Sequence, residues 1–269
     1  MEMDAARWLR HYRRNQDNRL EPDWDAPITL PPEVVRTVVH SLEQFCLGDG
    51  GGPASLVAWD AESFRGRSEA ARELVDLWFA EEKEHSRLLG DMVRRFGGTP
   101  ITGHWSFSVF CAVRRWFGVR FELTVLLLTE ICSTVYYRLL RQYGQDPALR
   151  DMCGLILRDE AGHIAFHRDR MARVGRGRAW RYGWWWSAGF QVLGMGAATM
   201  LWVNHRPALR VLGATDREYY REIWRGISRF IRQLRRESQA AALPVARERA
   251  AAQSVAGSIT ASRSAGSTR

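Results

Sequence analysis

The chain has 269 residues, 46% of them hydrophobic and 26% charged, a balance that suits a globular protein with a sizeable core and excludes a wholly disordered one. Its net charge of +9 rests almost entirely on arginine, since Lys83 is the sole lysine. That sign raises nucleic acid as a partner, but the helical segments show no basic face interleaved with stacking aromatics, and no nucleic-acid binding is expected.

Residues 1–32 read as a basic N-terminal segment: a short amphipathic helix, then an extended linker punctuated at Glu21-Pro22-Asp23 and Leu30-Pro31-Pro32. Residues 1–20 are polar and arginine-rich, without the apolar run of a signal peptide. The four cysteines, Cys46, Cys111, Cys132 and Cys153, never form Cys-x-x-Cys and read as reduced core thiols. A cytoplasmic location is expected on both counts.

Pro31-Pro32 marks a helix start, followed by Val34, Val35, Val38, Val39, Leu42 and Phe45 at helical spacing. Continued to Asp49, the helix sets Asp49 in its apolar stripe and Glu43 on the flank. A carboxylate aimed into a core must be neutralised or ligate a cation, so Asp49 is the stronger ligand candidate and Glu43 the weaker. The run Gly48-Asp49-Gly50-Gly51-Gly52-Pro53 offers the opposite reading, a turn with a solvated Asp49.

A second helix is expected over 67–96, ending at Gly97-Gly98-Thr99-Pro100, with Glu82 and His85 on the side of Leu74, Trp78, Leu89 and Met92. From Trp105 to about Gln142 the chain reads as helical and very apolar, with Gly118 as a break. Glu130 stands alone there in a hydrophobic run, a ligand candidate, and Tyr137 lies two turns along the same stripe. A fourth helix over 148–174 carries Glu160 and His163, with His167 one turn on as a third imidazole, a supporting group or a cavity wall.

Glu82-x-x-His85 and Glu160-x-x-His163 each follow another carboxylate, Glu81 and Asp159. A Glu and a His three apart share a helix face and reach one metal ion from adjacent turns. Two such motifs, with a lone carboxylate from each of two further helices, are how a four-helix bundle builds a dinuclear carboxylate site. The fold expected is therefore all-α, with a bundle over 33–175 and a long crossover between its second and third helices.

Residues 176–237 add C-terminal helices. Tyr182 to Val203 runs 22 residues without a charge and opens on Trp184-Trp185-Trp186. Two roles fit it: packing on the bundle or in a homodimer interface, and membrane association of the 182–203 stretch. An amphipathic helix follows over 216–236. Residues 238–269, rich in Ala, Ser, Gly and Arg, are expected to be disordered.

The paired Glu-Glu-x-x-His and Asp-Glu-x-x-His over residues 33–174 resemble the ferritin-like di-iron carboxylate superfamily. Ser41 to Asp49 and Ala80 to His85 are most similar to a group of uncharacterised bacterial ferritin-like proteins, in which a Glu is expected where this chain has Asp49. The resemblance implies one metal held by Asp49 and His85, another by Glu130 and His163, with Glu82 and Glu160 bridging. It further implies Asp159 orienting His85 and Glu81 orienting His163. Two iron ions, or Mn with Fe, suit these donors. The activity implied is an oxidase or oxygenase using O2 or peroxide and an unknown electron donor on a small or lipid-like substrate. A ferroxidase, peroxide-scavenging or iron-handling protein without organic substrate is the alternative.

Overall fold

The structure is a computed structural model that describes residues 5–49, 69–115, 119–174 and 179–265; within these ranges all the regular structure is helical. The helices are α1 (Ala5–Asp17), α2 (Pro32–Asp49), α3 (Glu69–Arg95), α4 (Trp105–Arg115), α5 (Val119–Tyr143), α6 (Pro147–Val174), α7 (Trp184–Leu212) and α8 (Asp216–Ala265). The chain is thus all-α, as its periodicity predicts.

Local chemistry sets the ends. Pro31 O accepts from the N–H groups of Val34 and Val35 and opens α2. Gly97, at φ +77°, and Gly98 close α3 by donating to the carbonyls of Arg94 and Val93, a left-handed cap that costs a glycine little. Asp146 Oδ1 caps α6 by accepting from Leu149 N–H at 3.1 Å. The same buried carboxylate pairs with Arg95 at 3.2 Å and accepts from Thr29 N–H at 3.3 Å, so one acid joins the linker, the end of α3 and the start of α6.

α2 packs on α3, α5 on α6, and α3 on α6; α7 lies against both α2 and α5, and α8 against α5, α6 and α7. One hydrophobic core runs through all six helices, from Val38, Leu42 and Met92 to Leu127, Tyr136, Ile156, Trp202, Ile223 and Ile227. The C-terminal helices therefore share the core of the 33–175 region. α1 seats on α3 and α6 over a smaller cluster of Trp8, Leu9, Tyr12, Leu74, Trp78 and Phe166.

The apolar stretch expected from Trp105 to about Gln142, with Gly118 as a break, carries two described helices, α4 and α5; residues 116–118 between them, including Gly118, lie outside the described residues. α8 continues past the amphipathic 216–236 stretch to Ala265.

Among the described residues one helix is long and apolar enough to cross a membrane, Phe121–Tyr143 in α5, with 67% of that window buried inside the protein. The 182–203 stretch packs instead through Phe190, Gly194, Ala198 and Trp202 of α7.

Candidate metal centre

α3 and α6 bring the two Glu-x-x-His motifs face to face, and each acidic neighbour crosses to the opposite helix. His85 Nε2 lies 3.2 Å from Asp159 Oδ2, and His163 Nε2 lies 2.9 Å from Glu81 Oε2. Both imidazoles are fully buried. An ionised carboxylate only accepts, so each Nε2 carries a proton, and each Nδ1 is the nitrogen turned toward the other carboxylates. His163 Nδ1 stands 3.0 Å from Glu82 Oε1 and 3.9 Å from Glu160 Oε2, and His85 Nδ1 stands 3.9 Å from Glu82 Oε2.

One further carboxylate, Glu130, joins Glu82 and His163. Glu82, Glu130 and His163 each offer a ligand atom within 4.8 Å of the other two, a grouping able to hold a metal ion. Glu160 takes a hydrogen bond from Ser133 Oγ at 3.2 Å on Oε1, and Glu82 takes one from Trp78 Nε1 at 3.2 Å. Asp49, the last residue of α2 and half-buried, accepts from Tyr137 OH at 2.8 Å; the Gly50-Gly51-Gly52-Pro53 run after it lies outside the described residues. Tyr137 is fully buried. His167 Nε2 lies 3.4 Å from Glu130 Oε1, and burial lowers its imidazole below the ordinary value.

Glu43 is the exception. It accepts from Thr99 N–H at 3.3 Å and lies 3.5 Å from the exposed His40, on the flank where it ties α2 to the end of α3. It joins none of the contacts of the centre, because its position on α2 turns it away from the stripe that Asp49 continues.

The electrostatics express crowding of like charge. Burial, then the charge of Glu82, lifts the Asp49 carboxyl from its ordinary range to about 7. The same two causes push Glu160 well above the carboxylate range. Burial also opposes ionisation of Asp159, but the hydrogen bond and charge of His85, with Arg19 and Arg158, overcome it and hold that carboxyl at about 2. At Glu82 burial is likewise outweighed by His163, His85 and Trp78, and its carboxyl sits below the usual range. Burial works to neutralise His163, yet Glu82 and Glu81 outweigh it and raise the imidazole well above its ordinary value.

Fit to a cation is tested by the atoms left over. His85 Nδ1, His163 Nδ1, Glu130 Oε2, Glu160 Oε2 and His167 Nε2 are buried with no hydrogen-bond partner. Such orphans cost about 1–3 kcal/mol each unless something satisfies them. Four carboxylates from four helices, Asp49, Glu82, Glu130 and Glu160, would be neutralised by two divalent cations, and oxygen with imidazole suits Fe or Mn.

Sequence reasoning expected the helix α1 but missed its place beside the centre. Tyr12 is buried, its hydroxyl has no partner, its ring lies 6.0 Å from that of His163, and the charges of Glu81, Glu130 and Glu82 reach it. Arg19, just past α1, donates to Asp159 Oδ2 at 2.6 Å, and Trp8 Nε1 donates to Asp169 Oδ2 at 3.0 Å. Gly162 makes room for His11, whose ring tip occupies the place a side chain there would need. The available signal was polar residues on an apolar stripe, since Trp8, Tyr12 and Asn15 are spaced i, i+4, i+7.

No protein-family model, curated protein or solved structure matches the chain.

Proposed function

We propose that this cluster holds two metal ions, iron or Mn with Fe, within a ferritin-like four-helix bundle formed by α2, α3, α5 and α6, and that the protein is an oxidoreductase acting on a small or lipid-like substrate. The reading is carried by one observation: the crossed pairs His85–Asp159 and His163–Glu81 engage the outer nitrogens and turn both Nδ1 atoms, which have no hydrogen-bond partner among the described residues, toward Glu82 and Glu160. The pairing of α2 with α3 and of α5 with α6, and the lone carboxylates Asp49 and Glu130 on α2 and α5, support it.

When bound, the metal pair supplies two-electron reduction of O2 or peroxide. The protein's own part is positional. Asp159 and Glu81 fix the tautomer and tilt of the imidazoles. Tyr137 aims Asp49, and Ser133 aims Glu160, while Trp78, Phe166 and Trp8 keep water from the α1 side. An electron donor is required, and a cytoplasmic setting agrees with the four free cysteines.

The test is anaerobic loading with Fe(II) followed by O2. Near-ultraviolet absorption should appear in the intact protein and be absent from Glu160→Ala; no spectral change in the intact protein rejects the reading.

A further inference from the structure

The face formed by α4 and α7 has no role in the centre, and it is built unlike the rest of the surface. α7 buries Phe190, Ala198 and Trp202 but leaves Trp184 (66%), Trp185 (81%), Val192 (72%) and Val203 (51%) exposed on its other side. α4 adds Trp105 and Val109, both exposed. Trp105 and Met195, Gly196, Thr199, Met200 and Val203 line a groove of about 550 Å³ between the two helices. A contiguous apolar patch of this kind marks an interaction site.

Charge identifies what it meets. Residues 92–121, which include α4, and 170–215, which include α7, contain twelve arginines and not one aspartate or glutamate, though the chain has 30 acids. Within these stretches Arg206 is exposed and Arg181 partly so, while Arg94, Arg95, Arg173 and Arg210 pair with Asp91, Asp146, Asp169 and Asp216. A second copy docking by the same face would set arginine against arginine. An anionic lipid surface meets both features, since tryptophan settles at the headgroup boundary and arginine pairs with lipid phosphate.

We infer that the α4/α7 face is a peripheral docking surface for an anionic membrane, seated by Trp105, Trp184, Trp185, Val192 and Val203 and held by Arg181 and Arg206. Nothing spans the bilayer in this arrangement, and the inference does not depend on the metal centre.

The full chain should co-sediment with phosphatidylglycerol vesicles at 0.1 M salt, at least tenfold more weakly at 0.5 M, and at least tenfold more weakly with phosphatidylcholine. Tryptophan emission should shift to the blue on binding. Val192→Glu/Val203→Glu, at exposed sites that folding does not need, should lower the partition at least tenfold with unchanged circular dichroism. Absence of vesicle binding, equal binding to both lipids, or full binding by the double variant overturns the inference. So does a dimer in sedimentation equilibrium that the double variant abolishes, since the face then belongs to a second copy.

Discussion

Asp159 accepts from His85 Nε2 at 3.2 Å and from Arg19 Nη2 at 2.6 Å, so a single carboxylate orients a candidate ligand and anchors the segment after α1. Asp159→Asn should weaken metal binding about 10–100-fold, read by competition with a chelator, whereas Glu84→Gln, which touches Arg19 only at 3.7 Å, should leave affinity unchanged. Equal losses would show that the effect runs through Arg19 and not through the imidazole. At Tyr12 the orphaned hydroxyl gives a second test. Tyr12→Phe should leave stability unchanged or raise it by about 1 kcal/mol in denaturant melts, because it removes an unsatisfied buried group; a loss of 2 kcal/mol or more would mean the hydroxyl is satisfied. Glu82, His85, Glu130, Glu160 and His163 were legible because helical spacing fixes the face a residue takes, and Asp49 was legible as the last acid on its stripe. Tyr12 was not, because its neighbours in space lie some 70 and 150 positions along the chain and nothing within α1 refers to them.

α7 shows how far a helix can be read from its composition. Its small residues Gly189, Gly194, Gly196 and Ala197 suggest close approach, but a side chain at Gly189 or Gly196 would meet open space. Only at Gly194 is the fit tight, with an added Cβ 2.5 Å from Ile227 Cδ1 and 3.1 Å from Leu128 Cδ2. Gly194→Ala should therefore destabilise by about 1–3 kcal/mol, while Gly189→Ala should be neutral or stabilise by up to about 1 kcal/mol. Thermal melts of the two variants check the pair, and the reverse order would place the packed face elsewhere. The period of α7 was visible in the sequence. Which glycine faces α5 and α8 depends on rotation set by the whole interface, and that information is spread over three helices.

At the scale of the molecule, α7 is locked to the bundle through His205, whose Nδ1 lies 2.8 Å from Ser41 Oγ, itself 2.6 Å from Tyr136 OH. Burial, with the charges of His104 and His40 adding, drives His205 from 6.5 down to about 3. The unfolded chain takes up that proton near 6.5 and the folded chain does not, so this contribution is complete above pH 6.5 and is lost as pH falls toward 3. The slope over that window is about 1.4 kcal/mol per pH unit. His205→Gln should flatten the dependence in urea melts between pH 6.5 and 4, and parallel curves for the two proteins would contradict it. The all-helical class and the helix ends follow from periodicity and capping; the union of α7 and α8 with the core of the other helices does not, since no local signal separates a helix that covers a core from one that stands apart. All of these elements serve the claim that acids and imidazoles from four helices are buried together around cations. The direct measurement is metal content per chain of the purified protein and of Glu82→Ala: the account predicts two equivalents of Fe or Mn with Fe in the first and loss of both in the second, and fewer than one equivalent in the intact protein, or two retained by the variant, would contradict it.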